Sequence, residues 1–146
     1  MIIDLKKIKR SGKDGEDFYF EYQPELELID IPNVKLSAPI KITGNVTLTG
    51  EHSCYIDGEV DFSVDGECTR CLKQTTNRYV VEFSEMADSQ AEDGYPVKND
   101  TVDLTKIVDD VVLMNVPLSF LCSEDCKGIC LNCGANLNDG ECKCKN

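Results

Sequence analysis

From Ile40 to Cys68 the even-numbered positions read Ile40, Ile42, Gly44, Val46, Leu48, Gly50, His52, Cys54, Ile56, Gly58, Val60, Phe62, Val64, Gly66 and Cys68, and the odd ones are mostly polar. A period of two sustained this long admits β-strands with one buried face and little else. Glycines placed where positive φ or a bulge is tolerated predict turns near residues 43–45, at 50–53, and at Asp57-Gly58 and Asp65-Gly66. Several antiparallel strands follow. A further strand over about 78–84 turns Tyr79, Val81 and Phe83 inward, so the apolar face moves from even to odd positions. The CTRC segment between them, Cys68 to Cys71, acts as the tight turn that switches register.

Upstream, residues 2–8 and 18–22 read as strands, and 25–31 alternates between Pro24 and Pro32. Residues 85–100, EMADSQAEDGYPVKND, are acidic and hold Gly94 and Pro96, which predicts a mobile surface loop. Leu104, Ile107, Val108, Val111 and Val112 then recur at helical spacing, with Asp103 as N-cap and Pro117 closing the pattern. The adjacent Asp109 and Asp110 are expected on the solvated face of this helix. The fold class is therefore mainly β (α+β): an antiparallel, partly barrel-like sheet, one amphipathic helix at about 103–115, and a C-terminal zinc-knuckle tail. The expected division is a β-rich domain over 1–121 and a cysteine-rich tail over 122–146.

That tail, CSEDCKGICLNCGANLNDGECKC, offers only Ile129, Leu131 and Leu137 toward a core. Without a crosslink it would be disordered. The basic N-terminus has no apolar run of signal-peptide length, and no later stretch approaches a membrane span, so a cytoplasmic protein is expected. A reducing compartment keeps the nine cysteines free for metal or redox work rather than disulfides.

Zinc takes four soft ligands at tetrahedral angles, and a Cys-x-x-Cys pair wraps one ion through a tight turn. Cys130 and Cys133, followed by Gly134, have that form, and Cys142 and Cys144 supply a second close pair. These four are assigned to a first structural zinc. Cys68 and Cys71, after a strand, with Cys122 and Cys126, after the helix, are assigned to a second that would staple sheet to tail. One or two zinc ions per chain are expected. A competing partition groups Cys126, Cys130 and Cys133 with one thiol of the CxC pair and leaves Cys122 free. Iron–sulfur ligation also uses four thiolates. A redox role for CTRC is disfavoured because the pair follows an antiparallel ladder rather than opening a helix. Cys54 reads as a small buried hydrophobe and His52, the single histidine, as a turn or strand residue.

No nucleophile lies beside a base, no glycine-rich phosphate loop is present, and four-cysteine zinc leaves no open coordination position, so no catalytic residues are assigned. The net charge of −12 opposes broad binding to phosphate backbones.

The CTRC after alternating strands, the DLTKIVDDVVLMNVP helix and CSEDCKGICLNCGANLN with its terminal CKC together resemble the YceD family, the large ribosomal RNA subunit accumulation proteins, in its Gram-positive form. The resemblance covers about residues 59–144. It implies a bacterial, non-enzymatic cytoplasmic protein that supports accumulation of 23S ribosomal RNA and is commonly encoded beside a zinc-ribbon ribosomal protein. The family's cysteine pair maps onto Cys68 and Cys71, its positions after the helix onto Cys122 and Cys126, and the Gram-positive knuckle onto Cys130 and Cys133. The expected partners are a large-subunit ribosomal protein, the 23S rRNA precursor, or both, with no membrane and no small-molecule substrate. Acidity and an RNA role are reconciled in one of two ways. Either the acidic surface holds a basic ribosomal protein, or a local patch of Arg70, Lys73, Arg78, Lys127, Lys143 and Lys145 touches RNA. Other classes are a zinc-ribbon nucleic-acid-binding or transcription accessory, separated by gel shift with duplex DNA, and a thiol redox sensor, separated by its response to mild peroxide.

Overall fold

A computed structural model describes residues 1–24, 28–37 and 39–144. In chain order the elements are β1 (Ile2–Asp4), α1 (Leu5–Arg10), β2 (Gly15–Tyr22), β3 (Val34–Leu36), β4 (Ile40–Leu48), β5 (Ser53–Glu67), β6 (Gln74–Asp88), β7 (Tyr95–Pro96), β8 (Thr101–Asp103) and α2 (Leu104–Asn115). The main sheet runs in the open order β2-β4-β5-β6-β7, with β3 also on β5, and β1 pairs with β8 in a separate ribbon.

All but the short β6–β7 pairing are antiparallel. Barrel closure is not found among the described residues. It would need β2 to meet β6 or β7, and the core is covered instead by the helices and the β1–β8 ribbon. The inward residues of β4 and β5 (Ile40, Ile42, Val46, Ile56, Val60, Phe62, Val64) share one core with Leu104, Ile107, Val108, Val111 and Val112 of α2. These are the five helix positions picked out by periodicity, and Asp103 caps the helix by accepting from the Thr105 N–H. Tyr79 stacks on Phe62 with ring centroids 5.2 Å apart, as the inward odd positions of β6 require.

Five expectations are corrected. Of the predicted turns only 50–53 is one. The chain runs straight through Gly44, Gly58 and Gly66 as strand, because these glycines serve close approach rather than reversal. Gly44 lies directly opposite Gly58, and a Cβ on Gly44 would stand 2.2 Å from the Asp57 carbonyl oxygen and 2.7 Å from the Phe18 ring. Gly66 similarly makes room for Val34 and Phe120.

Residues 2–8 are not one strand. Asp4 accepts from the N–H groups of Lys6 and Lys7 and so starts α1, which buries Leu5 and Ile8. Of the stretch 25–31, residues 25–27 lie outside the described residues, and 28–31 form no strand.

The segment 85–100 is not wholly loop. β6 continues to Asp88, β7 pairs in parallel with its end, and Val97 is buried. Nor do Asp109 and Asp110 face only water: Asp110 accepts from the Tyr95 hydroxyl at 3.1 Å, and burial pushes the Asp109 carboxyl up.

His52 sits in the β4–β5 turn and contacts Asp100 through Nδ1 at 3.1 Å, while Lys9 reaches the same carboxylate at 2.9 Å. Lys9 first and His52 second hold the Asp100 carboxyl below its usual range. Cys54 is fully buried, and burial pushes its thiol up to about 11. No helix among the described residues is long and apolar enough to cross a membrane.

Candidate metal centres

The β5–β6 hairpin and the segment after α2 meet at one end of the sheet. The Thr69 N–H donates to the Phe120 carbonyl at 2.9 Å, and the Asn77 side chain donates to the Leu121 carbonyl at 3.0 Å. Phe120, fully buried, anchors this docking. The chain then delivers Cys122 and Cys126 to Cys68 and Cys71. Their four sulfurs all lie within 4.8 Å of one another, with Cys68 to Cys126 at 3.7 Å and Cys71 to Cys122 at 3.6 Å.

The sulfurs of Cys130, Cys133, Cys142 and Cys144 form a second group within the same limit, and Cys130 lies 4.0 Å from Cys144. The competing partition, with Cys122 free, is not the grouping found.

A tetrahedral ion with sulfur at about 2.3 Å requires sulfur–sulfur edges of about 3.8 Å, whereas a disulfide requires about 2.05 Å. The observed separations match the first and not the second. All nine cysteines are free thiols, so two clusters are present that could each hold a metal ion.

The two Cys-x-x-Cys turns are built alike. In the first, the Leu72 N–H donates to the Cys68 carbonyl and the Cys68 N–H to the Lys73 carbonyl, each at 2.9 Å. In the second, the Gly134 N–H donates to the Cys130 carbonyl and the Cys130 N–H to the Ala135 carbonyl, each at 2.8 Å. The residue after the second cysteine is left-handed in both, φ 61° at Leu72 and 73° at Gly134. Glycine adopts that conformation without penalty and leucine does not. Leu72 is also more than half exposed, at 56%, so Leu72→Gly sacrifices little packing. Relief of about 1–2 kcal/mol of left-handed strain, set against about 0.4–1 kcal/mol of added unfolded-chain entropy, should leave a net gain of about 0.5–1 kcal/mol, read as a higher urea midpoint with the metal content unchanged.

Electrostatics follow from crowding sulfurs that cannot all ionise without a cation. Burial pushes the Cys68 thiol up, but backbone N–H groups, chiefly that of Cys71, outweigh it and bring it to about 6. At Cys71 the backbone N–H of Lys73 favours the thiolate, yet burial and the thiols of Cys122, Cys68 and Cys126 push it up to about 12. The second cluster repeats the split. The Cys133 and Asn132 backbone N–H groups bring Cys130 down to about 6, and Cys133, burial and Cys130 push Cys144 up to about 12. A divalent cation removes this conflict by compensating several thiolates at once.

Cysteine spacing alone did not reveal the supporting residues. Asn138 donates from Nδ2 to the Cys126 sulfur at 3.4 Å while its Oδ1 accepts from the Lys127 N–H at 2.8 Å. That amide holds the Cys126 thiol below the ordinary range despite its burial. Asn136 accepts from both the backbone and the side chain of Asn138. The NLND run between the cysteine pairs is the signal that could have exposed this, since Asn is the short side chain that both donates and accepts.

The six cations of the expected patch are placed as follows. Arg70 donates to the Cys126 carbonyl at 3.0 Å, Arg78 makes a two-pronged bond to Asp61 at 2.8 and 2.7 Å, and Lys73 and Lys127 are exposed beside the first cluster. Lys143 is exposed, and Lys145 lies outside the described residues.

A protein-family model described as large ribosomal RNA subunit accumulation protein YceD matches residues 56–146. The chloroplastic large ribosomal RNA subunit accumulation protein YCED homolog 1 of Zea mays is 38% identical over 35% of this chain and 18% of its own length. Its Arabidopsis thaliana counterpart is 38% identical over 34% of this chain and 16% of its own. YlbN, an uncharacterized protein of Bacillus subtilis, is 24% identical over 75% of this chain and 69% of its own. The chain thus matches less than a fifth of the length of the plant proteins. No solved structure matches. The family match takes in more than half of the chain, from β5 through both cysteine clusters, and the chain belongs to the YceD family.

Proposed function

We propose that this protein is a non-enzymatic accessory factor in accumulation and assembly of the large ribosomal subunit, holding zinc at both cysteine clusters and engaging a basic large-subunit ribosomal protein through its sheet. The supporting observation is the outward face of the main sheet. It carries Asp17 and Glu21 of β2, Asp57, Glu59, Asp61, Asp65 and Glu67 of β5, and Glu82 and Asp88 of β6, against Lys35 of β3, Lys41 and Arg78. Arg78 is already committed to Asp61. A face of this sign steers and holds a cationic partner. The RNA-patch alternative is less well supported, because both of its arginines, Arg70 and Arg78, have partners within the chain.

Under this reading residues 1–121 are the working domain, and residues 122–146 are a metal-held unit stapled to it. Zinc suits the donor set: four thiolates at tetrahedral separations, with no histidine among them. A cluster of several irons would hold its cysteine sulfurs farther apart. The ion's role is structural, since four thiolates leave no position for substrate. The reducing bacterial cytoplasm is the fitting compartment.

The zinc-loaded chain should bind a basic large-subunit protein or precursor particles at low salt. Reversing two outward charges, Asp57→Lys with Glu59→Lys, should weaken binding about tenfold, with a flatter salt dependence. Equal binding by the reversed variant, or no binding at low salt, sinks the reading.

A further inference from the structure

Strand β6 is hydrogen-bonded along its whole length to β5, but its other edge meets only β7, at Ala87 and Asp88. Among the described residues nothing pairs with that edge over 74–86. The segment after α2 bonds to β6 through the Asn77 side chain. A long open edge is a template for another strand.

The edge has two properties that select one occupant. The open stretch has its midpoint at Val80, so the antiparallel register with the greatest overlap between two copies sets Val80 against Val80. The same register sets Arg78 against Glu82 of the second copy, and Glu82 against the second copy's Arg78, on the outward face. Val80 is 50% exposed there. On the inner face Tyr79 lies against Val81 of the second copy, both apolar residues at the margin of the core.

A single chain leaves an unfavourable pair that this arrangement relieves. Glu82 lies directly opposite Glu59 on β5, and like charges facing each other across strands are destabilising. Arg78 from a second copy would flank Glu82 on its other side, while Asp61 keeps its bond to Arg78.

We propose that two copies of this chain associate through the free edges of β6, antiparallel about a two-fold axis at Val80, so that the two main sheets become one continuous sheet with paired Arg78–Glu82 contacts. The interface is isologous, as a two-fold dimer requires. It leaves both cysteine clusters and most of the acidic face outside the contact.

Sedimentation of the zinc-loaded full chain across a concentration series tests this, with hydrogen exchange on the same samples. The wild type should show a monomer–dimer equilibrium, and β6 amides within 74–86 should gain protection as concentration rises. Glu82→Arg, which also removes the Glu59–Glu82 repulsion within the chain, should stay folded yet raise the dimer dissociation constant at least about tenfold, because it sets Arg against Arg twice per dimer. Arg78→Glu should do the same by setting Glu against Glu. An equimolar mixture of the two variants should restore the dimer, since both contacts then join opposite charges.

A wild type that stays monomeric with concentration-independent exchange overturns the proposal, as it would if this edge instead receives an extended segment of another protein. A dimer that neither variant weakens overturns it as well. If Arg78→Glu fails to fold, Glu82→Arg and the wild-type exchange data still decide.

Discussion

Cys71→Ser should reduce the metal content from two ions per chain to one and free the tail from the sheet while leaving a small folded knuckle at its end. The asymmetry of the clusters dictates this. The four thiols of the first come from the β5–β6 hairpin and from the segment after α2, so an ion held there would be a tertiary crosslink. The second draws all four from residues 130–144 and closes only a local loop. Cys133→Ser should therefore also lose one ion but disorder only the residues around the second cluster, with Cys122 and Cys126 still held.

Chelation of both ions should melt the whole of 122–144. Within that stretch only Cys126 and Gly128 are buried, and Leu131 is 98% exposed, so no apolar core survives removal of the metal. Structural zinc contributes on the order of 10 kcal/mol per site, well beyond what these few side chains could supply. Elemental analysis combined with amide exchange separates the three cases. A tail that stays protected after chelation would refute metal-held folding.

The second large effect is expected at the paired glycines. A Cβ on Gly58 would stand 2.3 Å from the Thr43 carbonyl oxygen and 2.9 Å from the Gly44 Cα, and the clash at Gly44 is equally close. Both obstacles are strand backbone, which cannot rotate aside as a side-chain tip can. Gly58→Ala should cost about 3 kcal/mol or more through separation of β4 from β5, seen as a lower urea midpoint. Gly12→Ala, with nothing within 4 Å but φ at +70°, should cost about 1 kcal/mol. Equal effects at the two positions would refute the close-approach account of Gly58.

These glycines also show where reading the chain reached its limit. Glycine after aspartate is the usual mark of a reversal, yet Asp57-Gly58 and Asp65-Gly66 lie within a fifteen-residue strand. The deciding neighbours, Phe18, Phe83, Val34 and Phe120, come from other elements and cannot be seen from local order. At the N-terminus the pattern of 2–8 suited a strand, but Asp4, by accepting from two successive N–H groups, started a helix. Its strand neighbour is equally nonlocal: β1 pairs with β8, a hundred residues away.

The chain's own order determined whatever depends on spacing along one element. The inward face of β4 and β5, the shift of that face across CTRC, the five buried positions of α2 with its Asp103 cap, and the likeness of the two Cys-x-x-Cys turns all follow from the fixed repeats of strand, helix and tight turn. Tertiary structure alone decided which distant groups meet. It matched glycine to glycine across strands, left the sheet open, turned Arg70 onto the Cys126 carbonyl and brought Asn138 to its sulfur. Those outcomes depend on packing between segments far apart in the chain, where each contact is set by the shape of its neighbours rather than by a repeat that one segment carries by itself.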